Sequence, residues 1–520
     1  YKLFNFILDI ILFSITNFLC LLSVFGYSSI FNSLIFKDNL FKNLLFLNFI
    51  IGLLFIYIIV GILFHYFSIS NILTIIIIFF GLIFFIKNNY KYFNQLSFFT
   101  KHFKIVLLSV LFGLYALNNN DFDYHFFHIL ENKRNNLQYG LAVFGPEYRV
   151  AYNSAWLFLQ SIFFIENNYY SLFFLSSIFY SLFIRDFYKL IKKSIIESNY
   201  ISLIYFFSSL LFVLLGIYKY KDFGTDYSSH LILIYIVGIF LFYNNSHKLN
   251  YQFFIYCLLI FSLALISKIS SIIFFLFIIF LIYKISFKNF FDQIKTSHLI
   301  ILLCLFLVWF SHNLALSGCI VYPIDFICFT DYSWSIDSKG IHSPKHGYLI
   351  ISLFAKGMKI PFWDLGVEEL RSFNKINIWF PYWINDHFFK ILEKFLPAFI
   401  ILTLIPIFYA FFKQKKISNN HIVNSVRKID QFFLVSISII LFIIWFLQAP
   451  AIRFGFSYIL FFLLIFIIPL WYKIFFTETG ILKFIIKRIL LLVLVFFVSY
   501  NLIRIFYFIL GENDWSKLLY

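Results

Sequence analysis

The chain has little of what a soluble protein keeps at its surface. Only 12% of its 520 residues are Asp, Glu, Lys or Arg, and acids are the scarcer kind, 24 against 41 basic residues. A solvated globular domain draws roughly a quarter of its residues from those four types, so that class is excluded. The five cysteines contain no CxxC pair, which removes thioredoxin-like and zinc-ribbon readings. No P-loop and no Gly-rich phosphate cradle is present, which argues against ATP-driven transport. Period-two alternation is also missing, and with it the signature of a transmembrane barrel. The chain begins at Tyr1 and Met358 is its one methionine, so residues upstream of Tyr1 are expected. Nothing at Tyr1 reads as a cleavable signal peptide.

What is present is Phe, Ile and Leu: 62% of residues are hydrophobic and 24% aromatic, with a mean hydropathy of +0.89. Many apolar runs approach or exceed the ~20 residues that a helix needs to cross a bilayer. The expectation is an all-α polytopic membrane protein, one transmembrane domain over 1–520 with about 14 transmembrane helices. The candidate spans are 3–25, 44–66, 70–87, 103–117, 169–190, 200–217, 228–243, 250–266, 270–286, 297–316, 392–412, 430–447, 455–472 and 488–508. The net charge of +17 does not indicate nucleic-acid binding, because Lys and Arg are scattered among short connections.

Those basic residues assign the sides. Lys37, Lys42, Lys87, Lys91, Arg185, Lys189, Lys193, Lys284, Lys413 and Lys483 lie in alternate connections, which are therefore cytoplasmic. The connections at 118–150, 218–227, 267–269, 317–391 and 448–454 then face outward. A consequence falls on 151–166 (AYNSAWLFLQSIFFIE). If this run crossed, every later connection would invert, so it is expected to turn back as a re-entrant or interfacial helix. Cys20, Cys257 and Cys304 read as core thiols, whereas Cys319 and Cys328 share one outward loop and form either a disulfide or a pair of free thiols.

Two outward segments stand out: 118–168, with amphipathic and re-entrant helices, and 317–391. The second carries Tyr322, Tyr332, Trp334, Tyr348, Trp363, Trp379, Tyr382 and Trp383. Such aromatics make an interfacial belt or stacking platforms for sugar rings. In the first, Asp121, Asp123, His125, His128, Glu131, Glu147 and Arg149 crowd into thirty-odd positions. Asn118 to Asp121 are helix-cap types, so a helix is expected to start there. On it Asp121, His125, His128 and Asn132 would form one face and Phe122, Phe126 and Ile129 the other, with the acid–imidazole stripe turned to water or to a site. The bland alternative is an interfacial helix with a solvated polar face.

A carboxylate here suits a general base that takes the proton of an acceptor hydroxyl as its oxygen attacks an anomeric carbon. His125 or His128 would orient it, or bind a phosphate when protonated. Asp121, His125 and His128 also have a spacing that suits a divalent metal, although no distant ligand is identifiable. Arg149 in GPEYR, Lys268 in LISKISS and Arg453 in QAPAIRFG are cations on the outward side. Each alone reads as a headgroup anchor. Together, beside an acidic loop, they suit an amphiphilic substrate carrying a phosphate. Asp226, in KYKDFGTDYSS with Lys219, Lys221 and Asp222, is a candidate second acid.

The order of these elements resembles a known family. It runs from the Asp/Tyr-His element through GPEYRVAYNS, KDFGTD, SKIS and SGCIVYPI to APAIRFG, over roughly 100–460. This order resembles bacterial multispanning membrane proteins of the LIC_10190 type, which are similar in layout to the GT-C glycosyltransferase superfamily. The resemblance implies a GT-C-like fold in a bacterial cytoplasmic membrane. It also implies a catalytic acid in the first large outward loop, Asp121 or Asp123, assisted by His125, and a polyprenyl-phosphate-linked sugar as donor. Lys268 and Arg453 would bind the lipid phosphate, with His128, Arg149 and Asp226 as further substrate contacts. The Asp121-Phe-Asp123 pattern is similar to the acidic pair of oligosaccharyltransferases, which use a divalent metal; other members need none, so no cofactor is required. The Tyr-His element follows the first Asp one position early, which leaves both acids in play.

Three functions follow. The first is glycosyl transfer from a polyprenyl-phosphate sugar to an envelope glycan, glycolipid or protein. The second is an O-antigen or polysaccharide polymerase or ligase, which relies on Arg and His and requires no acidic pair. The third, a lipid-linked sugar transporter without catalysis, would place charges deep within spans, and few are there.

Overall fold

A computed structural model describes residues 2–35, 43–89, 96–116, 124–145, 148–166, 168–215, 225–245, 249–285, 295–336, 343–359, 365–412 and 428–475, with isolated positions at 488, 492, 495 and 499. Among the described residues the regular structure is helical, with no β-strand. Seven helices are long and apolar enough to cross a membrane, beginning at Ile10, Leu45, Asn71, Thr225, Thr296, Asp430 and Ile452.

The helices are α1 Lys2–Ile35, α2 Leu45–Phe64, α3 Asn71–Asn89, α4 Leu96–Ala116, α5 Tyr124–Arg134, α6 Leu141–Phe144, α7 Ala155–Phe163, α8 Phe174–Ile196, α9 Tyr200–Leu215 and α10 Thr225–Asn245. They continue as α11 Tyr251–Ser267, α12 Phe275–Ile285, α13 Thr296–Ser317, α14 Pro344–Ala355, α15 Val367–Phe373, α16 Ile376–Trp383, α17 Phe389–Phe412, α18 Lys428–Gln448 and α19 Ile452–Phe475. The last of the expected spans, 488–508, falls almost wholly outside the described residues.

The surface shows what solvent the bundle fits. On α3, Ile72, Ile75, Ile76, Phe79, Phe80, Ile83 and Ile86 are exposed in a helical stripe, while Thr74, Ile77, Gly81 and Phe85 face inward. Water would penalise such a stripe; hydrocarbon does not. Inside, small residues bring backbones together: a Cβ on Gly26 of α1 would lie 1.9 Å from the Gly81 carbonyl oxygen of α3. At the centre stands α10, whose apolar window is 94% buried, against 17% for peripheral α18.

Contacts between connections sort into two ends. At one, Arg185 and Lys189 donate to the Asn43 carbonyl at 3.5 and 3.0 Å, and Lys284 pairs with Asp430 at 2.6 Å. The buried Asp186 accepts from Phe46 N at 2.9 Å, placing a carboxylate at the N-terminus of α2. At the other, Leu137 N donates to Phe64 O at 3.0 Å, Gly140 N to Ala315 O at 2.8 Å and Trp383 Nε1 to Pro450 O at 2.7 Å. Each contact joins connections that the Lys/Arg pattern puts on the same side.

The segment 151–166 forms a short helix tied down at both flanks. Its helix, α7, has nine residues, about 13 Å of rise against a ~30 Å hydrocarbon core. Both its flanks are tied to the same end. Ser154 Oγ donates to Ser267 O at 2.8 Å, and Glu166 N to Asn71 Oδ1 at 3.2 Å. Thr74 Oγ1 donates to Ile162 O at 2.8 Å and accepts from Lys133 Nζ at 2.8 Å, which locks α7 to α3 and α5. All nine residues of α7 are buried within protein.

The 317–391 segment has a core of its own. Leu349, Leu353, Met358, Leu370, Trp379 and Trp383 cluster there. Lys356, 2% exposed, donates to Ser352 Oγ and Asn374 Oδ1 and lies 5.2 Å over the Trp379 ring, which binds α14 to α15 and α16. Burial lowers its pKa to about 8. The belt-or-platform expectation is therefore corrected in part: Trp379, Trp383 and Tyr322 are buried core residues. Tyr332 and Trp334 do stack, at 4.6 Å. Cys319 and Cys328 form a disulfide, which settles the two cysteine readings.

Candidate functional site

Three of the sequence-derived residues meet here. Asp226 sits in the first turn of α10, and Lys268 ends α11. Arg453 opens α19. Lys268 and Asp226 form an ion pair, with side chains 21% and 13% exposed. Lys268 Nζ lies 4.3 Å from the centre of the Phe454 ring, and the Arg453 guanidinium lies 4.8 Å from the same ring. A second aromatic, Phe354 of α14, lies 5.3 Å from that guanidinium. Two cations thus contact one phenyl ring, with one carboxylate beside Lys268.

The backbone explains why Lys268 ends up there. Its N–H completes α11 on Ala264 O at 2.9 Å, and its carbonyl accepts from Ser271 N at 2.9 Å. The chain then reverses into a short 3-10 turn, Ile269–Phe274. A lysine at that reversal is held at the membrane edge without a loop around it.

Above Arg453 lies a second polar group. Asp386, on a π-helical turn, accepts from Lys390 at 2.9 Å and pairs with Lys359 at 3.2 Å. Burial opposes its ionisation, but those two lysines hold its carboxyl below the usual range. His387 makes a 3.4 Å hydrogen bond to the Phe354 carbonyl. Burial lowers its pKa, which Asp386 and that carbonyl counter, while Lys390 and Arg453 lower it further.

The first outward loop gives a different picture from the expected one. Asp121 and Asp123 lie outside the described residues, as do Asn118 to Asn120, Phe122, Glu147 and the Lys219–Asp222 group. The described helix α5 begins at Tyr124. Its stripe does not turn to water: His128 is 2%, Asn132 5% and Lys133 3% exposed, while Ile129 on the opposite side is fully buried. Both faces are packed because α7 closes over one side and α2 and α3 hold the other.

His128 joins a group of imidazoles that includes His125, His65 and His312. The His65 and His312 rings are 5.3 Å apart. His312 Nε2 donates to Gly61 O at 3.0 Å. Burial, then the neighbouring His125, lowers the His128 pKa to about 4. Burial thus favours the uncharged form of this ring. Burial lowers His65 as well.

Arg149 lies half-buried on the short 3-10 turn Tyr148–Tyr152. That turn leads into Ser154, whose hydroxyl bonds the Lys268 hairpin at Ser267, so the first loop is physically joined to the cation pair. Among the described residues no three His, Cys, Asp or Glu side chains are arranged to hold a metal ion.

Sequence reasoning missed His230. It lies one turn beyond Asp226 on α10, makes a 2.8 Å hydrogen bond to Ser457 Oγ and donates to the Arg453 carbonyl at 2.9 Å. The histidine in an otherwise apolar run was its one signal. No curated protein and no solved structure matches the chain. A family model does match, over residues 9–460, a stretch that includes every residue of the site. The chain belongs to the family described as Domain of unknown function (DUF8201).

Proposed function

We propose that the protein is a membrane glycosyltransferase of GT-C-like fold, with about 14 transmembrane helices, in a bacterial cytoplasmic membrane. It takes its sugar from a polyprenyl-phosphate-linked donor on the extracytoplasmic face and serves envelope glycan or glycolipid modification. The observation that carries this reading is the pairing of Lys268 and Arg453 over Phe454, at the end of the bundle away from the Lys-rich connections. An amphiphile lying in the outer leaflet would bring its phosphate to that level. The Cys319–Cys328 disulfide supports the same sidedness, because such bonds persist in oxidising compartments.

In the proposed reaction the acceptor oxygen bonds to the anomeric carbon as the bond from that carbon to the phosphate oxygen breaks. The acceptor proton passes to Asp121 or Asp123. The lipid phosphate leaves carrying the electron pair, and Lys268 and Arg453 stabilise its charge. Configuration inverts because one displacement occurs. No step requires a metal.

The full-length chain in nanodiscs, supplied with undecaprenyl-phosphate hexoses and pentoses, should release undecaprenyl phosphate in the presence of an acceptor. Lys268→Met and Arg453→Gln should each weaken donor binding tenfold or more and lose release. Asp121→Asn or Asp123→Asn should keep binding and lose release. Undiminished binding in both cation variants would refute the reading.

One observation favours a second reading, a polysaccharide polymerase or ligase. Arg453 has His230 on its backbone side and His387 near its side chain, an Arg–His grouping that needs no acidic pair. Full activity in both Asp variants would select it.

A further inference from the structure

The connection from Gln448 to Arg453, between α18 and α19, has its carbonyl oxygens held from outside. Ser352 Oγ donates to Gln448 O at 2.7 Å, and Trp383 Nε1 to Pro450 O at 2.7 Å. Trp445 Nε1 donates to Ala451 O at 3.1 Å, and His230 Nε2 to Arg453 O at 2.9 Å. The four donors come from α14, α16, α18 and α10. Two residues past Arg453 the packing leaves no slack: a Cβ on Gly455 would lie 2.1 Å from Trp445 Nε1.

A backbone determined so fully suits a side chain that must stand ready for a ligand. Arg453 is such a side chain. Its guanidinium lies over two phenyl rings and makes no ion pair with a carboxylate among the described residues. Ring contacts do not use up its N–H groups, which can still donate to an anion.

Of the four donors, His230 acts directly on Arg453. A carbonyl only accepts, so Nε2 carries the proton, and Nδ1 of the neutral ring then accepts from the Ser457 hydroxyl. Ser457 lies one turn beyond Arg453, so a single buried imidazole spans the first turn of α19. On the same face of α10, four residues earlier, Asp226 is the counter-ion of Lys268. The outer turns of α10 therefore serve both cations.

We infer that His230 is the positioning residue of Arg453, holding its backbone so that the guanidinium is preset for an anionic headgroup. This rests on the lipid-phosphate reading of the site. It assigns His230 no contact with the ligand; it acts through Arg453.

The test is binding of undecaprenyl phosphate to the full-length chain in nanodiscs, for the wild type, His230→Leu, His230→Gln, Arg453→Gln and the His230→Leu/Arg453→Gln pair. His230→Leu should weaken binding roughly tenfold or more, since small misplacements at a preset site have effects of that size. His230→Gln keeps a side-chain N–H at the right reach and should recover most of the affinity. In the Arg453→Gln background, His230→Leu should change nothing further. Ser457→Ala is the milder variant if His230→Leu does not fold. It removes the bond that holds Nδ1 of the ring and should weaken binding in the same direction. Unchanged binding in His230→Leu, or in Ser457→Ala where the former does not fold, overturns the inference. An equal loss with and without Arg453 also overturns it, because that marks a general packing role. If the wild type does not bind undecaprenyl phosphate, the lipid-phosphate reading itself fails and the inference falls with it.

Discussion

Replacing Asp226 with Asn should make the protein less stable and a better binder of lipid phosphate. Lys268 is engaged by Asp226, an ion pair with both side chains mostly buried. A charge-assisted hydrogen bond of this kind nets about 1.5–3 kcal/mol. A phosphate that recruits Lys268 must displace it. The Asn amide oxygen is a neutral, weaker acceptor, so the substitution should return roughly half of that, about 0.8–1.5 kcal/mol, or about 4- to 13-fold in affinity. Lys268 would not lose its place, because its own backbone bonds and the Phe454 ring hold it. Without ligand, the two cations at Phe454 would lose the Asp226 charge, at a cost of about 1–3 kcal/mol in stability. Binding isotherms for undecaprenyl phosphate at fixed salt, with thermal unfolding of the same preparations, read both effects. A folded Asp226→Asn protein that binds more weakly than the wild type would refute the reasoning and make Asp226 a residue that holds Lys268 for the ligand.

Three further outcomes follow from the structure. Cysteines introduced at Asp331 and at Lys193, in a variant whose native cysteines are replaced, should label from opposite sides of the membrane, Asp331 from outside; labelling of both from one side would overturn the topology. Reducing the Cys319–Cys328 bond, which closes a loop with a sequence separation of 9, should lower stability by about 2–3 kcal/mol on loop-closure grounds. A reductant should then lower the unfolding temperature of the wild type and leave Cys319→Ser/Cys328→Ser unmoved. Burial lowers the His128 pKa to about 4 in the folded chain, from the 6.5 of a solvated imidazole. The unfolded chain therefore binds the extra proton first as pH falls. Stability from this group is full above about pH 6.5 and declines towards pH 4 by about 3 kcal/mol in all, at about 1.4 kcal/mol per unit. Unfolding temperatures measured across that range should fall less steeply for His128→Asn; equal slopes would contradict the buried neutral imidazole.

Hydropathy and charge made the architecture legible. Apolar runs located the helices. The Lys-rich connections led to the expectation that α7 turns back, and its nine-residue length is short for a crossing. Lys268 and Arg453 were recognisable because a cation at a short outward connection is costly without an anion. What stayed hidden depended on partners remote in sequence. His230 reads as a histidine in an apolar run until α19 supplies Ser457 and the Arg453 carbonyl, more than 220 positions away. The polar stripe of α5 was expected to face water or a site, because helical periodicity shows that a face is polar, not what covers it. The cover is α7 and the ends of α2 and α3. Trp379 and Trp383 looked like surface aromatics because nothing local announces the small core beneath them.

The most direct measurement is a structure of the full-length chain in nanodiscs with undecaprenyl phosphate. The account predicts the phosphate at the outward end of α10, within hydrogen-bonding reach of both Lys268 Nζ and the Arg453 guanidinium. A phosphate seated elsewhere, for example beside Lys189 and Arg185 at the opposite end, with the Lys268–Asp226 pair undisturbed, would contradict it.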